Sequence, residues 1–88
     1  AAADRQARLI ARRPLLKELE QLEKKLAPWH AEKTKLDERL ADPELYTGPE
    51  AGELPKLLKR QAELTDKIDA AELRWLELHE ALDAIPAD

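Results

Sequence analysis

The 88-residue sequence predicts an all-α chain, a two-helix antiparallel coiled-coil hairpin with a short structured tip. Four observations lead there. Charged residues make up 39% and hydrophobic ones 43%, the latter almost all Leu and Ala, as in long helices. A β-sandwich or barrel calls for β-branched and aromatic residues, and this chain has no Val or Phe and is only 3% aromatic. Large apolar residues then recur in steps of four and three along two separate stretches. Finally, both glycines of the chain sit between those stretches, together with Pro43 and Pro49.

Residues 1–12 read as a basic lead-in or linker. The chain opens Ala1-Ala2-Ala3 without Met, so an excised piece of a longer protein is expected. Pro14 fits the first turn of a helix, where a missing N–H costs nothing, and this would leave residues 1–12 separately helical or disordered. The hairpin itself covers 13–88, with arm one at 13–41, the tip at 42–53 and arm two at 54–85.

In arm one, Leu19, Leu26, Lys33 and Leu40 fall on heptad a positions, and Leu15, Leu22, Trp29 and Leu36 fall on d. Lys33 can lay its methylenes on the seam and keep its ammonium in water. This narrow stripe is a coiled-coil seam. Pro28 lies inside it and predicts a kink or bulge near Lys24–Trp29.

The tip opens Asp42-Pro43-Glu44, an N-cap, first-turn proline and first-turn acid, which predicts a short helical turn. Leu45 and Tyr46 are expected to fold back toward Leu40 and Leu57. Pro55 is harmless if the second long helix begins between Glu50 and Leu54. Arm two then carries Leu54, Gln61, Ile68, Trp75 and Leu82 at a, with Leu57, Leu64, Ala71, Leu78 and Ile85 at d.

Two such stripes in one short chain bury each other only by folding back. The resulting register sets Leu40 against Leu57, Leu26 against Ala71, Leu22 against Trp75 and Leu15 against Leu82. Arms of about 30 residues make a rod roughly 45 Å long. Each buried seam leucine contributes about 1.5–3 kcal/mol before chain entropy is subtracted.

The net charge of −4 hides a pattern. Residues 1–17 carry +4, the tip carries −4 and residues 71–88 carry −4. On the heptad, the g edge holds Lys25, Arg39, Arg60, Lys67 and Arg74 against Glu18 and Glu32. The e edge holds Glu23, Asp37 and Glu72 with no Lys or Arg. In the register above, Lys25 faces Arg74 and Arg39 faces Arg60, both like-charge pairs, and only Glu32 with Lys67 is favourable. Lys35, Lys56 and Lys59 widen the basic edge near the tip. Such an edge suits a polyanion, so nucleic-acid contacts are expected at these residues and at Arg5, Arg8, Arg12 and Arg13. Uneven surface charge without a function is the competing reading.

Trp29 and Trp75 sit on seam positions and read as core rather than base-stacking platforms. Tyr46 is the aromatic that the tip can present to a partner. Catalytic chemistry is missing: there is no Cys or Ser, no phosphate-cradling glycine loop, and the two histidines lie about 18 Å apart along the rod. No catalytic, metal or cofactor site is expected, and no apolar run suits a membrane. The expected state is a monomer.

Leu40-Ala41-Asp42-Pro43-Glu44-Leu45-Tyr46, then Ile68-Asp69-Ala70-Ala71-Glu72-Leu73-Arg74-Trp75-Leu76-Glu77-Leu78, resembles the C-terminal coiled-coil domain of bacterial ABC-F ATPases. Arg13-Pro14-Leu15-Leu16-Lys17-Glu18-Leu19-Glu20 is similar to the start of that domain. The resemblance implies a cytoplasmic protein whose two ATP-binding cassettes, with ATP and Mg, lie upstream of these residues. It also implies DNA or ribosomal RNA as partner. Because the domain is net acidic where a nucleic-acid binder is usually basic, the expected contact is weak, salt-dependent and confined to one edge. Two further readings compete: a structural or regulatory spacer acting on the cassettes, and the helical arm of another translation factor.

Overall fold

The apolar steps of four and three become two long helices that share one seam. The computed structural model describes residues 2–86. Helix α1 spans Ala2–Leu40, α2 spans Pro43–Thr47, a 3₁₀ turn follows at Ala51–Glu53, and α3 spans Leu54–Asp83. Ion pairs join Glu18 to Arg74 and Glu32 to Arg60 across the arms, and Glu53 of the 3₁₀ turn reaches back to Arg39, so residue numbers fall along one helix as they rise along the other. The result is an extended, hairpin-like rod of 69 × 15 × 15 Å.

The buried residues of α3 are Leu64, Ile68, Ala71, Leu78 and Leu82, all seam positions. Leu19, Leu78 and Leu82 form one cluster with Leu15, Leu22 and Trp75 packed against it. This cluster holds both members of the expected layers Leu15 with Leu82 and Leu22 with Trp75. Leu64 and Leu78 are sealed from solvent, at 0% and 1% exposed.

Helix α1 departs from the expectation at Pro14. Pro14 lies inside the helix rather than at its first turn, and residues 2–12 are continuous with the arm. Helical structure also runs unbroken through Pro28. Both prolines occupy exposed c positions on the outer face. The carbonyls they leave without an intrahelical donor, those of Ile10 and Lys24, therefore meet water instead of the seam. With 39 residues, α1 alone is about 58 Å long, which explains why the rod exceeds the length expected from equal arms. In the shared register Arg12 stands level with Ile85, so residues 2–11 project beyond α3.

The tip follows its sequence signals closely. The Asp42 carboxylate accepts from the Glu44 N–H at 3.0 Å and caps α2, with Pro43 in the first turn. Leu45 is buried at 5% exposure and closes the end of the seam. Pro55 lies in the first turn of α3. At Gly48 the N–H donates to the Glu44 carbonyl at 2.7 Å, and an added Cβ would stand 2.7 Å from that same oxygen. Glycine is needed there for close approach, since its φ of −88° is open to any residue.

Candidate nucleic-acid interface

The g edge is built by residues one step outside the seam, where long side chains from α1 and α3 meet over the buried leucines. Each g residue can reach two partners across the pair, one heptad apart. The expected pairing used one of these diagonals and set Lys25 on Arg74 and Arg39 on Arg60. The structure corrects it. The Arg74 guanidinium donates to both oxygens of Glu18, at 2.6 and 2.9 Å. Arg60 does the same to Glu32, at 2.5 and 2.8 Å. Arg39 donates to Glu53 at 2.5 Å and to Glu50 at 2.8 Å. All three arginines have taken the other diagonal, because it offers a carboxylate where the first offers a cation. The planar fork of arginine suits this bidentate contact.

Neighbours on α3 complete two of these sites, with Glu63 at 3.4 Å from Arg60 and Glu77 at 3.1 Å from Arg74. The Arg74 hydrogen bonds hold the Glu18 carboxyl below its ordinary value, and those of Arg60 do so for Glu32. In return the bond to Glu32 raises Arg60, and the bonds to Glu18 and then Glu77 raise Arg74. The Glu53 hydrogen bond likewise raises Arg39. Sequence could have disclosed this: Glu18, Glu32 and Glu53 lie one heptad from the partner that charge alone forbids.

The lysines of this edge behave differently. Lys25, Lys35, Lys56, Lys59 and Lys67 are all exposed. Lys67 places its ammonium 5.8 Å from the centroid of the Trp29 ring, which relieves its approach to Lys25 on the arginine diagonal. Lys35, Lys56 and Lys59 make no ion pair among the described residues. By register Lys56 and Lys59 stand level with Ala41 and Glu38, so these three ammonium groups lie within about 9 Å along the rod. The structure thus leaves the tipward lysines exposed at similar heights along the rod, while Arg39, Arg60 and Arg74 are ion-paired. Arg12 and Arg13 sit on α1 near the open end, as do Arg5 and Arg8, each of which has an interaction of its own.

The e edge is acidic and is held across the arms by uncharged or weakly basic donors. The Trp75 indole N–H donates to Glu23 at 3.3 Å, and His30 lies 3.3 Å from Glu72. Asp37 accepts from Lys33 and from Gln61, each at 2.8 Å, and those two bonds lower its carboxyl, Lys33 having the larger effect. Seam position Lys33 is therefore tied down by an acid one turn away. His79 lies against Trp75, with ring centroids 4.0 Å apart, and its buried Nε2 has no partner among the described residues.

Tyr46 is half exposed, at 49%, but its hydroxyl donates to the Leu40 carbonyl at 2.5 Å. It caps the C-terminal end of α1, so its ring edge is what the tip presents. A hollow of about 340 Å³ at the tip is lined by Arg39, Asp42, Glu44 and Glu50 among others, and its one base is already engaged by Glu50 and Glu53. No group of three His, Cys, Asp or Glu residues suited to a metal occurs among the described residues. Nor is any described helix long and apolar enough to cross a membrane.

The sequence profile described as the ABC transporter C-terminal domain matches residues 12–80, which takes in most of both arms and the whole tip. The chain belongs to that family. As an ABC transporter C-terminal domain it is an accessory region of an ABC protein. No curated protein and no solved structure matches the chain. The domain carries the two long helices, the Asp-Pro tip and the Trp75 region within the matched residues.

Proposed function

We propose that this chain is the non-catalytic C-terminal arm of a cytoplasmic ABC-F type ATPase, an antiparallel coiled coil that touches DNA or ribosomal RNA through the tipward g edge. One observation carries the reading. The edge divides its cations by type, with arginines committed to cross-arm carboxylates and lysines exposed toward solvent. A point-like ammonium on a flexible stem suits non-specific phosphate contact, whereas the arginine forks are needed to hold the arms. Lys35, Lys56 and Lys59 make the centre of the contact, with Lys25 and Lys67 along the rod and Tyr46 at its end. The basic first turns with Arg5, Arg8, Arg12 and Arg13 form a second contact. ATP and Mg belong to the upstream cassettes, and no residue of this chain is assigned to them.

The test is the salt dependence of duplex binding. Removing three phosphate contacts in a Lys35→Gln, Lys56→Gln, Lys59→Gln variant lowers the slope of log K against log salt by about 2.7. An unchanged slope and affinity overturns the assignment. A spacer that acts on the cassettes is the second reading, favoured by the bidentate Glu18–Arg74 and Glu32–Arg60 pairs, which stiffen the rod whatever it touches. In that case deleting the arm changes ATP turnover in the parent protein, and nucleic-acid affinity is absent from the start. Membership of an ABC family favours both readings over the arm of another translation factor.

A further inference from the structure

The open end of the rod carries an apolar patch that the seam does not use. Leu9 and Leu16 are 48% and 46% exposed and share the e edge of α1. Leu76, 53% exposed, lies at the adjoining b position of α3, beside His79. Leu73, at 60%, continues the patch one step further round the same helix. Charge borders it asymmetrically. At the open end, exposed Arg13 and Lys17 line the α1 side, with the Glu20–Lys24 ion pair beyond them, and exposed Glu80 and Asp83 line the α3 side. The seam register puts Arg13 level with Asp83 and Lys17 level with Glu80, at opposite margins of one face.

We infer that this face is self-complementary and pairs two copies of the chain around a two-fold axis parallel to the rod. Such an axis lays α1 of one copy over α3 of the other at equal height. Arg13 then meets Asp83 and Lys17 meets Glu80, twice each, around a centre made of Leu16, Leu76 and their two-fold mates. The alternative two-fold, perpendicular to the rod, lays α1 over α1 and sets Arg13 and Lys17 against their own copies. Charge therefore selects one geometry, in which the open ends form a four-helix bundle and both tips point the same way. A face 15 Å wide that uses only the open-end half of the rod is small beside standard interfaces of about 800 Å² per partner. The association is accordingly weak and concentration-dependent.

Sedimentation equilibrium of the 88-residue chain up to about 1 mM tests the pairing. The average mass rises from 10.0 kDa toward twice that value. An Arg13→Glu, Lys17→Glu variant stays at the monomer mass, and adding Glu80→Lys with Asp83→Lys restores association. These four side chains are exposed and outside the seam, so circular dichroism reports the same helicity in each. A cysteine-borne spin label at Thr47, in a chain with no native cysteine, reads the geometry. Tip-to-tip distances within about two rod widths are expected. A monomer mass at every concentration, association indifferent to the charge swap, or tips more than a rod length apart overturns the proposal.

Discussion

The two edges of the rod flank the same leucine seam but hold the arms by different means. Along the g edge, arginine forks close on glutamates from the opposite arm at Glu18–Arg74 and Glu32–Arg60, and Arg39 reaches Glu53 in the tip. Along the e edge, carboxylates instead take hydrogen bonds from Trp75 and Gln61 and a contact from His30. The difference shows that position on a heptad does not decide what a charge is for. The g-edge arginines are fasteners, whereas Lys67 on the same edge lies over the Trp29 ring and Lys25 makes no ion pair among the described residues. Charge counted along the edge cannot separate the two; hydrogen-bond geometry does.

The shared seam sets the scale against which the edges are measured. Leu64→Ala or Leu78→Ala, each emptying a sealed position, lowers unfolding free energy by about 2–5 kcal/mol in urea titrations. Such a loss falls on both edges alike. Breaking one fastener has a smaller effect, because these pairs are half exposed and screened by salt. Arg60→Lys, which keeps the charge and removes the fork, lowers the urea midpoint by less than either seam truncation. The loss is larger at low salt. Exchanging the pair, with Glu32→Arg and Arg60→Glu together, recovers much of it.

Acid separates the edges in another way. The Glu18 and Glu32 carboxyls are depressed below 4.5 by their arginine bonds, and Asp37 is depressed below 3.8 by Lys33 and Gln61. A depressed carboxyl stabilises the fold fully above its unfolded value and loses that contribution as pH falls through its folded value. Stability is therefore flat from neutral pH down to about 5.5 and declines below about 4.5. The decline is shallower in a Glu18→Gln, Glu32→Gln variant, and Asp37→Asn flattens it less. Smallest of all is Trp75→Phe, which removes the 3.3 Å indole bond to Glu23 while keeping an aromatic ring in the seam. It shifts the urea midpoint less than any substitution above.

Much of this fold was legible because its signals are local or periodic. The a and d residues marked both arms, and the Asp42-Pro43 cap marked the start of α2. Constant heptad spacing then determined which seam residues meet, including Leu15 with Leu82 and Leu22 with Trp75. Two things were not legible. Proline at the head of a periodic stretch signals a helix start, yet Pro14, like Pro28, lies inside α1 on the solvated face. The edge pairings were ambiguous for a different reason: a seven-residue repeat offers every g residue two partners, and side-chain reach chooses between them. The lysines of the proposed contact were singled out by charge alone, and the g-edge arginines, singled out in the same way, are seen by geometry to be ion-paired.

The most direct test follows arginine and lysine separately during one titration. In the ¹⁵N-labelled chain, the Nε–H signals of Arg60 and Arg74 report the cross-arm bonds, and the amides of Lys35, Lys56 and Lys59 report the free edge. On addition of a short nucleic-acid duplex at two salt concentrations, the lysine amides are expected to shift, more at low salt, while the two arginine signals hold still. Arginine signals that move first, with the lysine amides unchanged, would contradict the division of labour on which the proposed function rests.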